Sequence, residues 1–172
     1  MRPLARQIVV NAAASAGLDQ ERVVDKPKKA NKVLSAKPRL EFETIDEGLN
    51  RSGGLSDVLP GDDPQTHLKK RKRIYKRTLK VRVAIVAEDD TWLEDFVIKF
   101  LSAIPHYTGD ENGNQVTVEA SRAQRGGFET QTVEVFKERE AAIWIDFTGG
   151  IYLETEVPLI RSVDLIGGVT IK

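Results

Sequence analysis

One run of fourteen residues limits what this chain can fold into. From Arg73 to Val86, apolar and polar positions largely alternate. Tyr75, Leu79, Val81, Val83 and Ile85 share one face, while Lys76, Thr78, Lys80, Arg82 and Ala84 share the other. Successive strand side chains point to opposite faces, so this pattern predicts a long β-strand with one buried and one solvated side.

The residues that follow predict the partner layer. Trp92, Phe96 and Phe100 step by four, and Leu93, Val97, Leu101 and Ile104 form the adjoining row. Together they give an amphipathic helix with a wide apolar face that needs a sheet beneath it. Thr91 and Glu94 stand at capping-box spacing, Asp89 and Asp90 complement the helix N-terminus, and Pro105 ends the helix. Trp92 and Trp144 are expected to be core anchors, one on the helix and one on a strand beneath it.

An earlier helix is marked by Pro3 in its first turn, by Leu4, Ile8 and Ala12 at steps of four, and by Gly17 as its stop. Ala5, Val9, Ala13 and Ala16 make its stripe small-sided, which suits close packing on a sheet or a neighbouring subunit. Residues 21–37 read as polar connection with a short strand at Val23–Val24, and a strand follows over residues 39–45. Residues 46–72 carry Gly53-Gly54, Pro60-Gly61 and Asp62-Asp63-Pro64 with few apolar positions, and predict a long loop that is flexible or ordered by a partner. Turn formers at 109–114 lead to a strand at 116–120, broken by Gly126-Gly127. Further strands are expected at 132–136 and 141–147, with Gly149-Gly150 as a bend or bulge before 151–153. The expected class is α+β: an antiparallel or mixed sheet carrying an N-terminal and a central helix, in a single domain spanning residues 1–172.

Charge narrows the functional classes. Lys plus Arg and Asp plus Glu number 26 each, so the whole chain has no net attraction to nucleic acid or membrane. There is no cysteine, which removes disulfides and thiolate metal sites. The N-terminal residues lack a continuous apolar core of the signal-peptide kind, and no apolar run reaches membrane-spanning length, so a soluble, unsecreted protein is expected.

Locally the balance breaks. Lys69, Lys70, Arg71, Lys72, Arg73, Lys76, Arg77, Lys80 and Arg82 place nine cations within fourteen residues. Such a cluster can release counterions from nucleic acid, and an accessory nucleic-acid binder using residues 69–82 is the alternative reading. It can equally be a solvated strand whose lysines blunt an edge. It can also be a charge-complementary subunit contact, because Glu88, Asp89, Asp90, Glu94 and Asp95 supply an acidic counterpart. Few aromatics interleave with the cations, so the last two readings outweigh the first. The candidate interface is therefore Lys69, Lys70, Arg71, Lys72 and Arg73 with Glu88, Asp89 and Asp90. The only histidines, His67 and His106, have no partner at metal-ligand spacing, and no nucleophile elbow or phosphate loop is present, so no catalytic residue, cofactor or metal is expected. Asp110, Glu111, Asn112 and Gly113 fit a hairpin turn better than a calcium loop.

The order of elements resembles a known class. The helix Leu4-Ala5-Arg6-Gln7-Ile8-Val9-Val10-Asn11-Ala12-Ala13, the strand Pro38-Arg39-Leu40-Glu41 and the long polar segment come first. Leu79-Lys80-Val81-Arg82-Val83 then feeds Trp92-Leu93-Glu94, and Phe147-Thr148-Gly149-Gly150-Ile151-Tyr152 closes the set. This is similar to the tail-terminator and tail-completion proteins of tailed bacteriophages, the class that includes minor tail protein U of lambda-like phages. The resemblance implies a non-enzymatic virion protein, assembled in the host cytoplasm into the tail or neck. It implies a homo-oligomeric ring, a hexamer, that caps the tail tube. Its partners would be the tail tube protein, the head-neck connector proteins and, in a contractile tail, the sheath, with no membrane.

Overall fold

The computed structural model describes residues 1–26, 36–54, 56–61, 67–128 and 138–159, and of 122–128 and 138 the backbone alone. Among these residues, two helices and seven strands follow in the order α1 (Arg2–Ser15), β1 (Val23–Asp25), β2 (Arg39–Arg51), β3 (Ser56–Pro60), β4 (His67–Ala87), α2 (Asp90–Ala103), β5 (Tyr107–Gly109), β6 (Gln115–Phe128) and β7 (Glu138–Pro158), with a short 3-10 turn at Gln20–Arg22. The strands form one mixed sheet in the order β1-β2-β4-β7-β6-β5, and β3 also pairs with β4. The β1–β2 pairing is parallel, whereas β3–β4, β5–β6 and β6–β7 are antiparallel. The fold is α+β, as the sequence predicts.

The chain divides into two compact units. The first comprises Met1–Asn50 and Lys76–Gly150, the second Arg51–Tyr75 and Ile151–Lys172.

The first unit holds the core. Leu79, Val81, Val83 and Ile85 of the predicted inner face of β4 are fully buried, whereas Tyr75, predicted with them, is exposed and Ala84, predicted on the solvated face, is buried. The four inner residues pack in one cluster with Leu40 and Phe42 of β2, Ile143, Ile145 and Phe147 of β7, and the buried faces of both helices. Helix α1 contributes Ala5, Ile8, Val9, Val10, Ala12 and Ala13. It ends in a paired-carbonyl cap: Leu18 N–H donates to Ala13 O at 2.9 Å and Gly17 N–H to Ala14 O at 3.0 Å. Gly17 has φ +97°, a conformation that a side chain disfavours, which is why glycine ends this helix. Helix α2 buries Leu93, Phe96 and Phe100. Its rings stack along the helix, with Trp92 to Phe96 centroids 4.7 Å apart and Phe96 to Phe100 6.1 Å.

Several expectations need correction. The cap of α2 is Asp89, whose Oδ1 accepts the Thr91 N–H at 2.9 Å; Thr91 already lies inside the helix. A carboxylate at this position also complements the helix dipole, so it competes well with a threonine two residues later. Trp144 is not beneath α2. It alternates with Ile143 and Ile145, which are fully buried, so its half-buried ring lies on the other face of β7, with the Arg82 guanidinium 5.8 Å from its centroid. Gly126-Gly127 does not break β6, which pairs with Glu140 and Arg139 there; the register shift falls between Ala120 and Arg122. Backbone hydrogen bonds carry a strand through glycine when the neighbouring strand is in place. Likewise β7 runs through Gly149-Gly150. Gly149 serves close packing: a Cβ there would come within 2.9 Å of Met1 Cε and 3.3 Å of Val116 Cγ2. The strand expected at 132–136 lies outside the described residues.

Residues 46–72 are mostly strand. β2 continues to Arg51, and β3 pairs with the start of β4 from Ser56↔Lys72 to Pro60↔Leu68. Ser52 N–H donates to Ile74 O at 2.9 Å, so the ladder is kept even where the composition favours turns. At the hairpin, Gly61 N–H donates to His67 O at 3.3 Å, and a Cβ on Gly61 would meet that oxygen at 2.7 Å. Here the glycine and proline mark the turn of a hairpin, and the cations flanking it are strand residues.

Candidate assembly surfaces

The basic run is a β-strand, and its alternation sorts the cations by face. In the second unit, Lys69 and Arg71 lie near Glu154 of β7, with Lys69 Nζ 3.9 Å from Oε2 and Arg71 Nε 3.5 Å from Oε1. The Arg71 guanidinium sits 3.9 Å from the Tyr152 ring centroid, a cation–π contact. Arg71 Nε is buried with no hydrogen bond, so its pairing with Glu154 is electrostatic contact at longer range. Arg73 Nε donates to Ser52 Oγ at 3.0 Å. Lys70 and Lys72, on the opposite face, are exposed.

In the first unit the same strand continues with Arg77, which donates to Glu47 of β2, and Arg82, which donates to Glu140 of β7 and lies 3.8 Å from Glu43. Glu47 also accepts from Arg2 of α1 at 2.9 Å. The Arg77 hydrogen bond, reinforced by the charges of Arg77 and Arg2, holds the Glu47 carboxyl below the usual carboxylate range against the opposing effect of desolvation. Among the described residues, four of the nine cations thus face a carboxylate: Lys69, Arg71, Arg77 and Arg82.

The acidic stretch is divided too. Asp89 caps α2, and Asp90 is paired with Arg139. Glu88, Glu94 and Asp95 are exposed. The predicted basic residues Lys69–Arg73 belong to the second unit and the predicted acidic residues 88–90 to the first, so the pairings seen within each unit are with carboxylates and cations that sequence proximity does not reveal.

Beside the first turn of α1 lies an open groove of about 1000 Å³ along β1 and the middle of β2. Three ion pairs line it: Arg2 with Glu47 at 2.9 Å, Arg6 with Asp25 at 3.5 Å and Lys26 with Glu43 at 2.8 Å. Asp46 lines it as well, so three cations and four carboxylates surround the groove. Among the described residues no group of three or more His, Asp or Glu is placed to hold a metal ion, and no helix is long and apolar enough to cross a membrane.

The second unit differs from an ordinary small sheet. Among its described residues Gly61 alone is buried. Val58, Leu59, Tyr75, Ile151, Leu153, Val157 and Leu159 are all exposed there. Sequence patterning missed this, because alternation alone does not say whether an apolar row meets a second layer. No protein-family model matches the chain, and no curated protein matches it.

Proposed function

We propose that this chain is a non-enzymatic assembly subunit, a tail-terminator or neck protein of a tailed bacteriophage that forms a ring capping the tail tube and joining it to the head connector. The observation that carries the reading is the second unit: β3 and the distal parts of β4 and β7 expose a set of large apolar side chains with no buried apolar residue among those described. A few strands without a packed face are marginal in water, and exposed apolar sheet surface marks a site of association. The order of elements, resembling the tail-terminator class, supplies the identity of the assembly. In this reading the partners are further copies of the chain, the tail tube protein and the head-neck connector.

Light scattering of the purified protein, followed by negative-stain imaging, tests it. Closed rings of uniform size are the expected result. A monomer at all accessible concentrations overturns the reading.

A second reading has one observation in its favour. Lys70, Lys72, Arg73, Lys76 and Lys80 face no carboxylate within ion-pair distance among the described residues, which leaves a partly uncompensated basic strand for nucleic acid. Retention on DNA that falls steeply with salt would support that alternative.

A further inference from the structure

The two faces of the second unit carry different chemistry. One holds Lys69, Arg71, Tyr152 and Glu154, where both cations lie near the one carboxylate. On the other, Lys70 and Lys72 stand opposite Val58 and Ser56 in the β3–β4 ladder. Leu153 lies on that face as well, since its neighbours Tyr152 and Glu154 turn to Arg71. Val58 is 63% exposed and Leu153 55%, and Lys70 and Lys72 have no carboxylate partner among the described residues. This face is apolar with uncompensated positive charge.

The first unit carries a patch of complementary character. On α2, Thr91, Asp95, Ile98 and Ser102 follow one another at steps of four, three and four, and all are exposed. They lie away from the buried Phe96 and Phe100. Ile98 is 64% exposed, with Glu94 and Asp95 one turn before it and Glu88 ahead of the helix. Asp89 and Asp90 drop out of this patch, being engaged by the helix cap and by Arg139.

We propose that the Val58/Lys70/Lys72/Leu153 face of one copy docks on the Glu88/Asp95/Ile98 face of α2 in a second copy. The proposal rests on the ring reading and locates its contact. A second copy is the fitting occupant because one chain presents both halves: exposed apolar residues beside two lysines, and an exposed isoleucine one turn after two carboxylates. A patch that meets a different patch forms a heterologous interface, which closes into a ring when the rotation permits. Nucleic acid would use the lysines but leave Val58 and Leu153 in water.

A charge swap tests this. Wild type, Lys70→Glu/Lys72→Glu and Glu88→Lys/Asp95→Lys are diluted separately and as an equimolar mixture of the two variants, with light scattering as readout and a melting curve to check folding. Each variant alone sets like charges against each other and is expected to dissociate at a concentration about tenfold higher than wild type or more. The mixture restores opposite charges at every alternating contact and is expected to reassemble. If wild type assembles and Lys70→Glu/Lys72→Glu assembles at the same concentration, this contact is wrong while the ring reading stands. Two dissociating variants that fail to reassemble when mixed also overturn the pairing. A wild type that is monomeric throughout removes the ring reading, and this contact with it.

Discussion

Glu47 on β2 accepts the Nε–H of Arg77 on β4 at 2.8 Å, tying together two strands that are thirty residues apart in sequence. Arg2 of α1 donates to the same carboxylate, so one side chain joins a helix and two strands at the rim of the first unit. Its pKa is depressed chiefly by the Arg77 hydrogen bond. A carboxyl whose folded pKa lies below its unfolded value stabilises the fold above the unfolded value, near 4.3 for glutamate, and loses that contribution as pH falls through the folded pKa. Glu47→Gln is therefore expected to cost about 1 kcal/mol at neutral pH. The gap between variant and wild type should close progressively below about pH 4.3. Denaturant melts of both proteins across pH measure this; a gap that stays constant down to the acid limit shows that the charge of Glu47 contributes nothing.

Helix α2 offers an internal control for packing. Phe96 is 2% exposed in the stacked row, whereas Ile98, two residues on, is 64% exposed. Phe96→Ala should cost about 3–5 kcal/mol through lost burial and a residual cavity. Ile98→Ala should change monomer stability by no more than about 0.5 kcal/mol. Urea titration of the unassembled subunit compares them directly, and equal losses would mean that the helix is seated differently on the sheet.

The elements readable from sequence were those whose own side chains decide them. Leu79 to Ile85 alternate into a core, Trp92 to Leu101 keep a helical stripe, and Gly17 has the one conformation that ends α1. Strand β2 beyond Ile45 was hidden because Asp46, Gly48 and Asn50 have little intrinsic preference for strand; what holds them is the pairing of Glu47 with Arg77 and of Ser52 with Ile74, and that lies in β4. The candidate surface was half legible. Alternation separates Lys70 and Lys72 from Lys69 and Arg71, but nothing local indicates that Glu154, more than eighty residues on, lies beside only the second pair. Asp90 carried the same ambiguity, since its partner Arg139 arrives from a strand late in the chain.

Local stability should differ between the two units. The β3–β4 ladder from Ser56↔Lys72 to Pro60↔Leu68 has no buried apolar layer among its described residues, whereas Leu79, Val81, Val83 and Ile85 of the same strand are fully buried. Amide hydrogens open locally where few apolar contacts resist it. Amides at 68–72 are expected to exchange much faster than those at 79–85 in the dissociated subunit, and to slow markedly in the assembly. Equal protection of the two stretches in the free subunit would show that the second unit is stable alone.

The basic strand also sets a limit on any nucleic-acid activity. Among the described residues four of its nine cations face carboxylates, leaving Lys70, Lys72, Arg73, Lys76 and Lys80 for phosphates. Each neutralised phosphate contributes about −0.9 to the slope of log affinity against log salt on duplex DNA, so a binder using this strand should show a slope no steeper than about −4.5. The assembly reading expects no retention on duplex DNA at physiological salt. It also expects Lys76→Glu/Lys80→Glu to leave ring formation intact, because neither residue belongs to the proposed contact. Retention with a slope near that limit, abolished by Lys76→Glu/Lys80→Glu while rings persist, would instead assign this part of β4 to nucleic acid.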